Sequence, residues 1–422
     1  MNDTLTPVHR PAARSLVRDA RDRLPDLLRA AGYRARRCLP VLTLYGALKL
    51  IGFTVFLHLL NTAGDFHRKD PRFGGGAHAW DVLASWDGWW YQQIAAHGYD
   101  PALVHIPGAT GLITLEGNSA AFFPLYPAAM RLVSDCTGLG LYGAGLLVSV
   151  VSSFVAALGI FAVTARFGGR RAGLAAAGLW AVWPGSGTEW SGYSESLYVA
   201  LAVWACHAVL SDRWLTAGVL TFAAGLSRPT AAALIAALVV AALRTLHRRQ
   251  DDIARPATAI LIAPLGLLGY LLWVGDRTGD LTGYFRLQKG AWAHTFDFGE
   301  QTLDVFTSLA VGRTDYLFPC LLEDIIGVLA VLLGLLLIPL LIRLRPPSVL
   351  TVYTVLTFAL VLGSQQIFGN VSRYLLPAFP LFIPLAVRLR TLGLPLLCTL
   401  LSVAAVASGS YAGYVLFEVG VP

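Results

Sequence analysis

A carboxylate set among aromatic rings is the first place in this sequence where chemistry is legible. Asp87 lies in Ser85-Trp86-Asp87-Gly88-Trp89-Trp90-Tyr91, and Ile94 and Ala95 follow at helical spacing. An acid held beside indole rings loses water and becomes a better proton acceptor. The same spacing also fits an interfacial aromatic belt, with Asp87 capping an amphipathic helix at a membrane surface. Downstream, Glu116 and Asn118 precede Ala121-Phe122-Phe123-Pro124-Leu125-Tyr126-Pro127. Two prolines three apart argue against a regular helix and for a broken or re-entrant segment that lines a cavity. Further polar groups stand where apolar stretches begin or end, Glu189, Tyr193, Ser194 and Glu195, Ser227-Arg228-Pro229 and Ser372-Arg373-Tyr374, and Gln288 and Trp292 stand in a long connection between two of them. A guanidinium in such a place is either a snorkelling anchor or a clamp for a lipid-linked phosphate.

What is missing narrows the chemistry. No GxGxxG follows a strand, no GK[ST] occurs, and no DxD pair is present to hold a metal-bound nucleotide sugar. Those patterns are how a chain cradles nucleotide phosphates, so an activated donor carried on a lipid is the natural alternative. The five cysteines are scattered, with no CxxC and no His/Cys cluster, which excludes a disulfide framework and a zinc site. No carboxylate cluster has metal-ligand spacing, so a reaction free of metal and cofactor is expected.

The elements that must position these residues lie in a membrane. Of the 422 residues, 56% are apolar and only 14% charged, too few charges to cover a water-facing surface of that size. About eleven runs of roughly 15–25 apolar residues read as an all-α polytopic protein. They fall near 39–60, 139–165, 171–185, 193–210, 213–226, 229–246, 257–275, 321–343, 348–364, 372–388 and 392–416. With the N-terminus inside, the inner connections carry 21 of the 32 Lys and Arg and seven of the 25 acids, a positive-inside arrangement. The net charge of +7 therefore speaks for orientation in a plasma membrane and not for nucleic acid. Residues 1–38 read as a basic cytoplasmic segment that forms an interfacial helix at most, 39–416 as the membrane domain, and 417–422 as an outer tail. Two long connections, 61–138 and 276–320, fall on the outer side. Loops of that length in a compact protein are usually functional.

Taken in order, Trp86-Asp87, Tyr91, Ile94-Ala95, Gly98-Tyr99, the Phe-Phe-Pro-Leu-Tyr-Pro run ending at Tyr126-Pro127, Tyr193-Ser194-Glu195-Ser196-Leu197, Ser227-Arg228-Pro229, Gln288 with Trp292, and Arg373-Tyr374 resemble the GPI mannosyltransferase II family and its bacterial relatives. The resemblance runs from about residue 80 to 390. It implies a C-type glycosyltransferase fold, with interfacial helices in a long first outer loop, and a polyprenyl-phosphate mannose as co-substrate. Asp87 would then be the base of an inverting transfer. Arg373 first, and Arg228 second, would stabilise the leaving phosphate. Glu116, Glu195, Gln288 and Trp292 would grip sugars or head group, with Trp86, Tyr91, Tyr126 and Tyr374 beside them in the same motifs. The chain has 29 Arg to 3 Lys, a composition typical of a high-GC bacterium, which makes no GPI. The acceptor is thus open among a glycolipid, a glycan and a protein, and mannose itself is inherited from the resemblance, since no residue separates it from glucose or arabinose. A lipid or sugar transporter or flippase would share the span pattern. It should also show internal repeats and ionisable residues in mid-span, and neither feature is prominent.

Overall fold

The computed structural model describes residues 12–107, 113–248, 253–316, 319–365 and 367–420, with side chains from residue 38 onward apart from 414 and 419. In hydrocarbon every backbone N–H and C=O must bond within its own segment, so the apolar runs become helices. In chain order these are α1 (Ala12–Ala63), α2 (Asp87–His97), α3 (Leu125–Thr137), α4 (Leu141–Ala181), α5 (Glu195–Val209), α6 (Trp214–Gly225), α7 (Ala231–His247), α8 (Ala254–Ile262), α9 (Leu265–Thr278), α10 (Gly283–Trp292), α11 (Glu300–Ala310), α12 (Leu321–Arg343), α13 (Ser348–Leu362), α14 (Val371–Tyr374), α15 (Phe382–Leu389) and α16 (Leu394–Ser410). Two small antiparallel ribbons interrupt them: β1 (His105–Pro107) with β2 (Ile113–Leu115), and β3 (Thr295–Phe296) with β4 (Ser364–Gln365).

The protein is a mostly helical, multi-pass integral membrane protein, but the span count differs from the sequence expectation. Among the described residues, five stretches are long and apolar enough to cross a bilayer: Cys38–Ala63, Leu141–Ala181, Ala254–Thr278, Leu321–Arg343 and Leu394–Glu418. A sixth arises if Phe368–Tyr374 and Phe379–Leu389, bent by 77°, count as one broken span. The apolar helices α5, α6, α7 and α13 have 12–17 residues, short of the about 20 that the hydrocarbon core requires. Hydropathy marks an apolar run without saying where the helix inside it stops. The expected spans 139–165 and 171–185 correspond to two helices within α4 that meet at Gly169, whose φ of 73° only glycine adopts easily, and the second folds back so that a Cβ on Gly173 would come 2.8 Å from the Phe161 carbonyl oxygen.

Three further expectations change. The basic segment is not a separate interfacial helix: from Ala12 its backbone runs unbroken into the first span as α1, and residues 1–11 lie outside the described residues. Tyr411–Val419 is a π-helical continuation of α16 with Leu416 and Phe417 buried, so 417–420 is packed rather than a free tail, and 421–422 lie outside the described residues. The two prolines do not break a helix but start one. Pro124 is the N-cap of α3 and Pro127 falls in its first turn, where a missing N–H forfeits no intrahelical bond.

The bundle packs through small residues, as membrane helices do when lipid offers no hydrophobic drive between them. A Cβ on Gly159 of α4 would come 2.5 Å from Val203 of α5, and one on Gly178 would come 2.6 Å from Leu401 of α16. Around this core the connection after α1 folds into short 3-10 turns, α2, the β1–β2 ribbon and α3. The connection after α9 supplies α10, β3 and α11. These pieces meet the N-terminal end of α5, the α6–α7 turn and the break between α14 and α15, and the polar residues gather there.

Candidate active site

Asp87 is held at the start of α2 by its neighbours. Trp86 takes φ 53°, ψ −114°, a conformation costly for a bulky residue and frequent at functional sites. Its N–H bonds the Arg72 carbonyl at 2.8 Å, and its ring packs on Phe73 at 4.9 Å. Beneath the next residue, Gly88 and Gly192 face one another with no room to spare: a Cβ on Gly88 would lie 3.3 Å from the Gly192 carbonyl oxygen. Asp87 is thereby fixed to its neighbours on both sides.

Four charged side chains then alternate in sign. Arg373 Nη2 donates to Asp87 Oδ2, and Arg373 Nε donates to Glu195 Oε1. Arg228 Nη1 reaches the same Glu195 oxygen at 2.6 Å and Ser194 Oγ at 3.2 Å. Tyr91 Oη donates to Ser194 Oγ at 2.8 Å, its phenol pushed well up by burial and further by Asp87. Arg373 also lies over the Tyr193 ring at 4.6 Å and the Tyr374 ring at 5.4 Å. Glu195 is the first residue of α5 and Asp87 the first of α2, so both carboxylates take the favourable end of a helix dipole. Asp87 Oδ1 makes no hydrogen bond among the described residues, and its side chain is 28% exposed while those of Arg373 and Glu195 are each 2% exposed. Exposure therefore separates one carboxylate that can meet a ligand from two groups that orient it.

Above this chain lies a cavity of about 420 Å³, of ordinary small-ligand size. Asp87, Tyr91, Arg228, Gln288, Trp292 and Tyr374 line it. Gln288 Nε2 donates to the Ala121 carbonyl and to Tyr284 Oη, both at 3.2 Å. Trp292 packs edge-on against Trp90 and Phe122 at 6.0 and 5.8 Å. The α3 start is tied to the Arg228 turn, because the Leu125 N–H bonds the Leu226 carbonyl at 2.9 Å. That bond fixes the aromatic wall relative to the guanidinium.

Not every residue singled out in the sequence reaches the cavity. Trp86, Tyr126, Glu195 and Arg373 lie outside its lining. Tyr126 is buried, its hydroxyl bonded to the Gly145 carbonyl and Ser149 at 2.8 Å each. Glu116 is exposed just after β2 and is not among the lining residues. Sequence reasoning missed His294 and Thr230, and gave Ser227 no role of its own within Ser227-Arg228-Pro229; all three line the cavity. The Ser227 and Thr230 hydroxyls are buried with no hydrogen-bond partner among the described residues. Burial pushes the His294 imidazole down to about 4, with Asp87 acting in the opposite direction, so it is neutral at pH 7 and offers one donor and one acceptor. Single hydroxyls and a lone His carry no periodic signal, and only the flanking Arg228 and Trp292 pointed to their neighbourhood.

The Arg373 backbone is held from the far side by a 3-10 segment, Pro184–Trp190. Trp183 Nε1 donates to the Ser372 carbonyl at 2.6 Å, and a Cβ on Gly185 would come 2.5 Å from both the Arg373 Cα and N. Gly185→Ala is therefore expected to push Arg373 out of place and cost about 1–3 kcal/mol. The check is the denaturant midpoint of the purified protein, and an unchanged midpoint would contradict the close approach.

No protein-family model matches the chain, and no curated protein matches it. Among solved structures it is similar to the apo form of the Archaeoglobus fulgidus oligosaccharyltransferase, at 15% identity and a TM-score of 0.51 over 88% of this chain and 56% of that one. The two share a fold. It is also similar to ArnT from Cupriavidus metallidurans, in the apo state (14% identity, TM-score 0.49, 83% of this chain and 60% of that one) and bound to undecaprenyl phosphate (15%, 0.46, with the same coverage). The chain thus spans 60% or less of the length of these solved proteins. At such identities the likeness is one of architecture, and none of these comparisons singles out the GPI mannosyltransferase II family.

Proposed function

We propose that this protein is an integral membrane glycosyltransferase. It takes a sugar, mannose by the resemblance, from a polyprenyl-phosphate donor and moves it to a glycolipid, glycan or protein acceptor. The reaction takes place at the outer face of the plasma membrane, with the N-terminus in the cytoplasm. The observation that carries this reading is that Asp87 and Arg228 open on one aromatic cavity while Arg373 and Glu195 hold them from beneath. A base and a cation share one wall, as a displacement from a phosphate leaving group requires.

In the proposed step Asp87 Oδ1 takes the proton of the acceptor hydroxyl as its oxygen bonds to the anomeric carbon. The bond from that carbon to the phosphate oxygen breaks on the opposite face, and the lipid phosphate leaves with the electron pair. One carboxylate suffices, where a glycosidase uses two. The charge that grows on the phosphate is met by Arg228, whose side chain is 14% exposed, and by the unpartnered Ser227 and Thr230 hydroxyls. This assignment reverses the order expected from the resemblance. Arg373, buried between two carboxylates, becomes a positioning residue. Gln288 and Tyr374 are placed to hold sugar hydroxyls, and Trp292 to pack on a sugar face.

The test uses the purified chain in nanodiscs with a membrane lipid extract and polyprenyl phosphate carrying radiolabelled mannose, glucose or arabinose in parallel. Label should pass from the mannose donor to an acceptor. Absence of transfer from all three would overturn the transferase reading, and movement of intact donor across a proteoliposome membrane without transfer would establish the flippase alternative.

A further inference from the structure

We infer that Glu323, Asp324 and Asn370 form a site for a hard divalent cation of calcium type, tying the start of α12 to the turn that leads into Arg373. Glu323 and Asp324 lie in the first turn of α12, and both are 0% exposed. Asp324 Oδ2 is satisfied, accepting from Tyr316 Oη and the Cys320 N–H at 2.8 Å each. Asp324 Oδ1 and both Glu323 oxygens have no hydrogen-bond partner. The Cys320 thiol lies near Glu323, but a thiol is a weak donor. Among the described residues, no lysine, arginine or histidine acts on either carboxylate. Helix capping explains Asp324 Oδ2 and leaves three acidic oxygens unexplained.

A second element supplies the independent observation. Asn370 ends the 3-10 turn Phe368–Asn370. It is 2% exposed, and its Oδ1 is also without a partner. The turn lies directly against Glu323: a Cβ on Gly369 would come 2.5 Å from Glu323 Oε2, and one on Gly420 would meet Oε1. Two glycines thus let the carboxylate approach bare backbone, a cradle that any side chain would fill. Two adjacent buried carboxylates are costly without a counter-charge, and a divalent ion balances both. The available donors are carboxylate and amide oxygens, the set that calcium takes with water completing its shell. Among the described residues no group of three or more His, Cys, Asp or Glu residues could hold a metal ion; the set here has two acids and an amide, hard oxygen donors that do not favour a transition metal. Half-buried Cys320 marks a short way in from the surface. No metal was expected from the sequence because no carboxylate cluster has metal-ligand spacing, and Asn370 is 46 residues away from Asp324.

The experiment reads binding and not transfer, so it stands apart from the proposed function. The full chain in phosphatidylcholine nanodiscs is titrated with Tb³⁺, a luminescent stand-in for calcium excited through nearby tyrosines such as Tyr316. Saturable emission is expected, displaced by Ca²⁺ far better than by Mg²⁺. Glu323→Gln and Asp324→Asn should each weaken binding at least about tenfold, and Gly420→Ala should weaken it with both charges in place. Lack of saturable emission in the native chain, or emission unchanged by both charge substitutions, overturns the inference. So does an unfolding temperature that Ca²⁺ leaves unmoved while Glu323→Gln raises it, since that is the behaviour of protonated acids. If the substituted chains do not fold, equilibrium dialysis of the native chain with ⁴⁵Ca²⁺ decides: one ion per chain supports the site, and none removes it.

Discussion

Asp87→Asn is expected to lower the turnover of lipid-linked donor by about 10²–10⁴-fold, the usual worth of a positioned general base, while the protein still folds. The amide keeps the shape of the carboxylate, and its oxygen can still accept from Arg373. What it loses is the ability to take a proton from the acceptor. Stability should change little, because the Asp87 side chain is 28% exposed and Arg373 keeps its bond to Glu195. A partly exposed pair of this kind is worth less than a fully buried one. The measurement is an initial rate at saturating donor and acceptor beside an unfolding curve on the same preparation. The drop should fall on kcat rather than on KM for the donor, since Asp87 meets the acceptor proton and not the phosphate. Full activity in this variant would remove Asp87 as the base.

Much of the site could be read from residue types, and the reason is physical. Asp87, Tyr91, Arg228, Gln288, Trp292 and Tyr374 line one cavity, and each had stood out as a polar or aromatic group, Arg228 and Tyr374 at the end of an apolar run and the others in the two long connections. A charged side chain at a membrane helix end is costly enough to be noticed. What the sequence could not show is which guanidinium lines the cavity. Arg228 and Arg373 have similar surroundings along the chain, and their roles divide only when the 77° bend after Tyr374 turns Arg373 beneath Asp87. Tyr126 and Glu116 sit in an equally suggestive stretch, yet one is spent on the Gly145 carbonyl and the other stays exposed. The architecture was legible in kind, as helices in a membrane. Its count was not, because α5, α6, α7 and α13 fill runs that hydropathy marks as spans yet have only 12–17 residues.

The two arginines should separate cleanly by experiment. Arg373→Met leaves Glu195, 2% exposed, with Arg228 alone, and frees Asp87 from its only ion-pair partner among the described residues. Breaking a buried pair from one side typically costs about 3–5 kcal/mol, because an uncompensated charge stays behind. Here the remaining Arg228–Glu195 contact limits the loss at one carboxylate but not at the other. Arg228→Met leaves Glu195 with Arg373 and empties a position that is 14% exposed, so its cost should be nearer about 1–3 kcal/mol. Activity should run the other way round relative to stability. At a temperature where both variants are folded, Arg228→Met should lose about 10²–10³-fold in kcat/KM for the donor, the scale of one lost transition-state donor. Arg228→Lys should recover only part of it, since an ammonium lacks the planar fork that pairs with phosphate oxygens. Denaturant unfolding of each variant, paired with rates against donor concentration, reads both quantities. A double-mutant cycle with Glu195→Gln should show strong coupling for each arginine in stability. Should Arg228→Met prove the more destabilising, or Arg373→Lys retain a normal stability with a donor-specific rate loss, the phosphate contact would belong to Arg373 and the division of roles drawn from burial would fall.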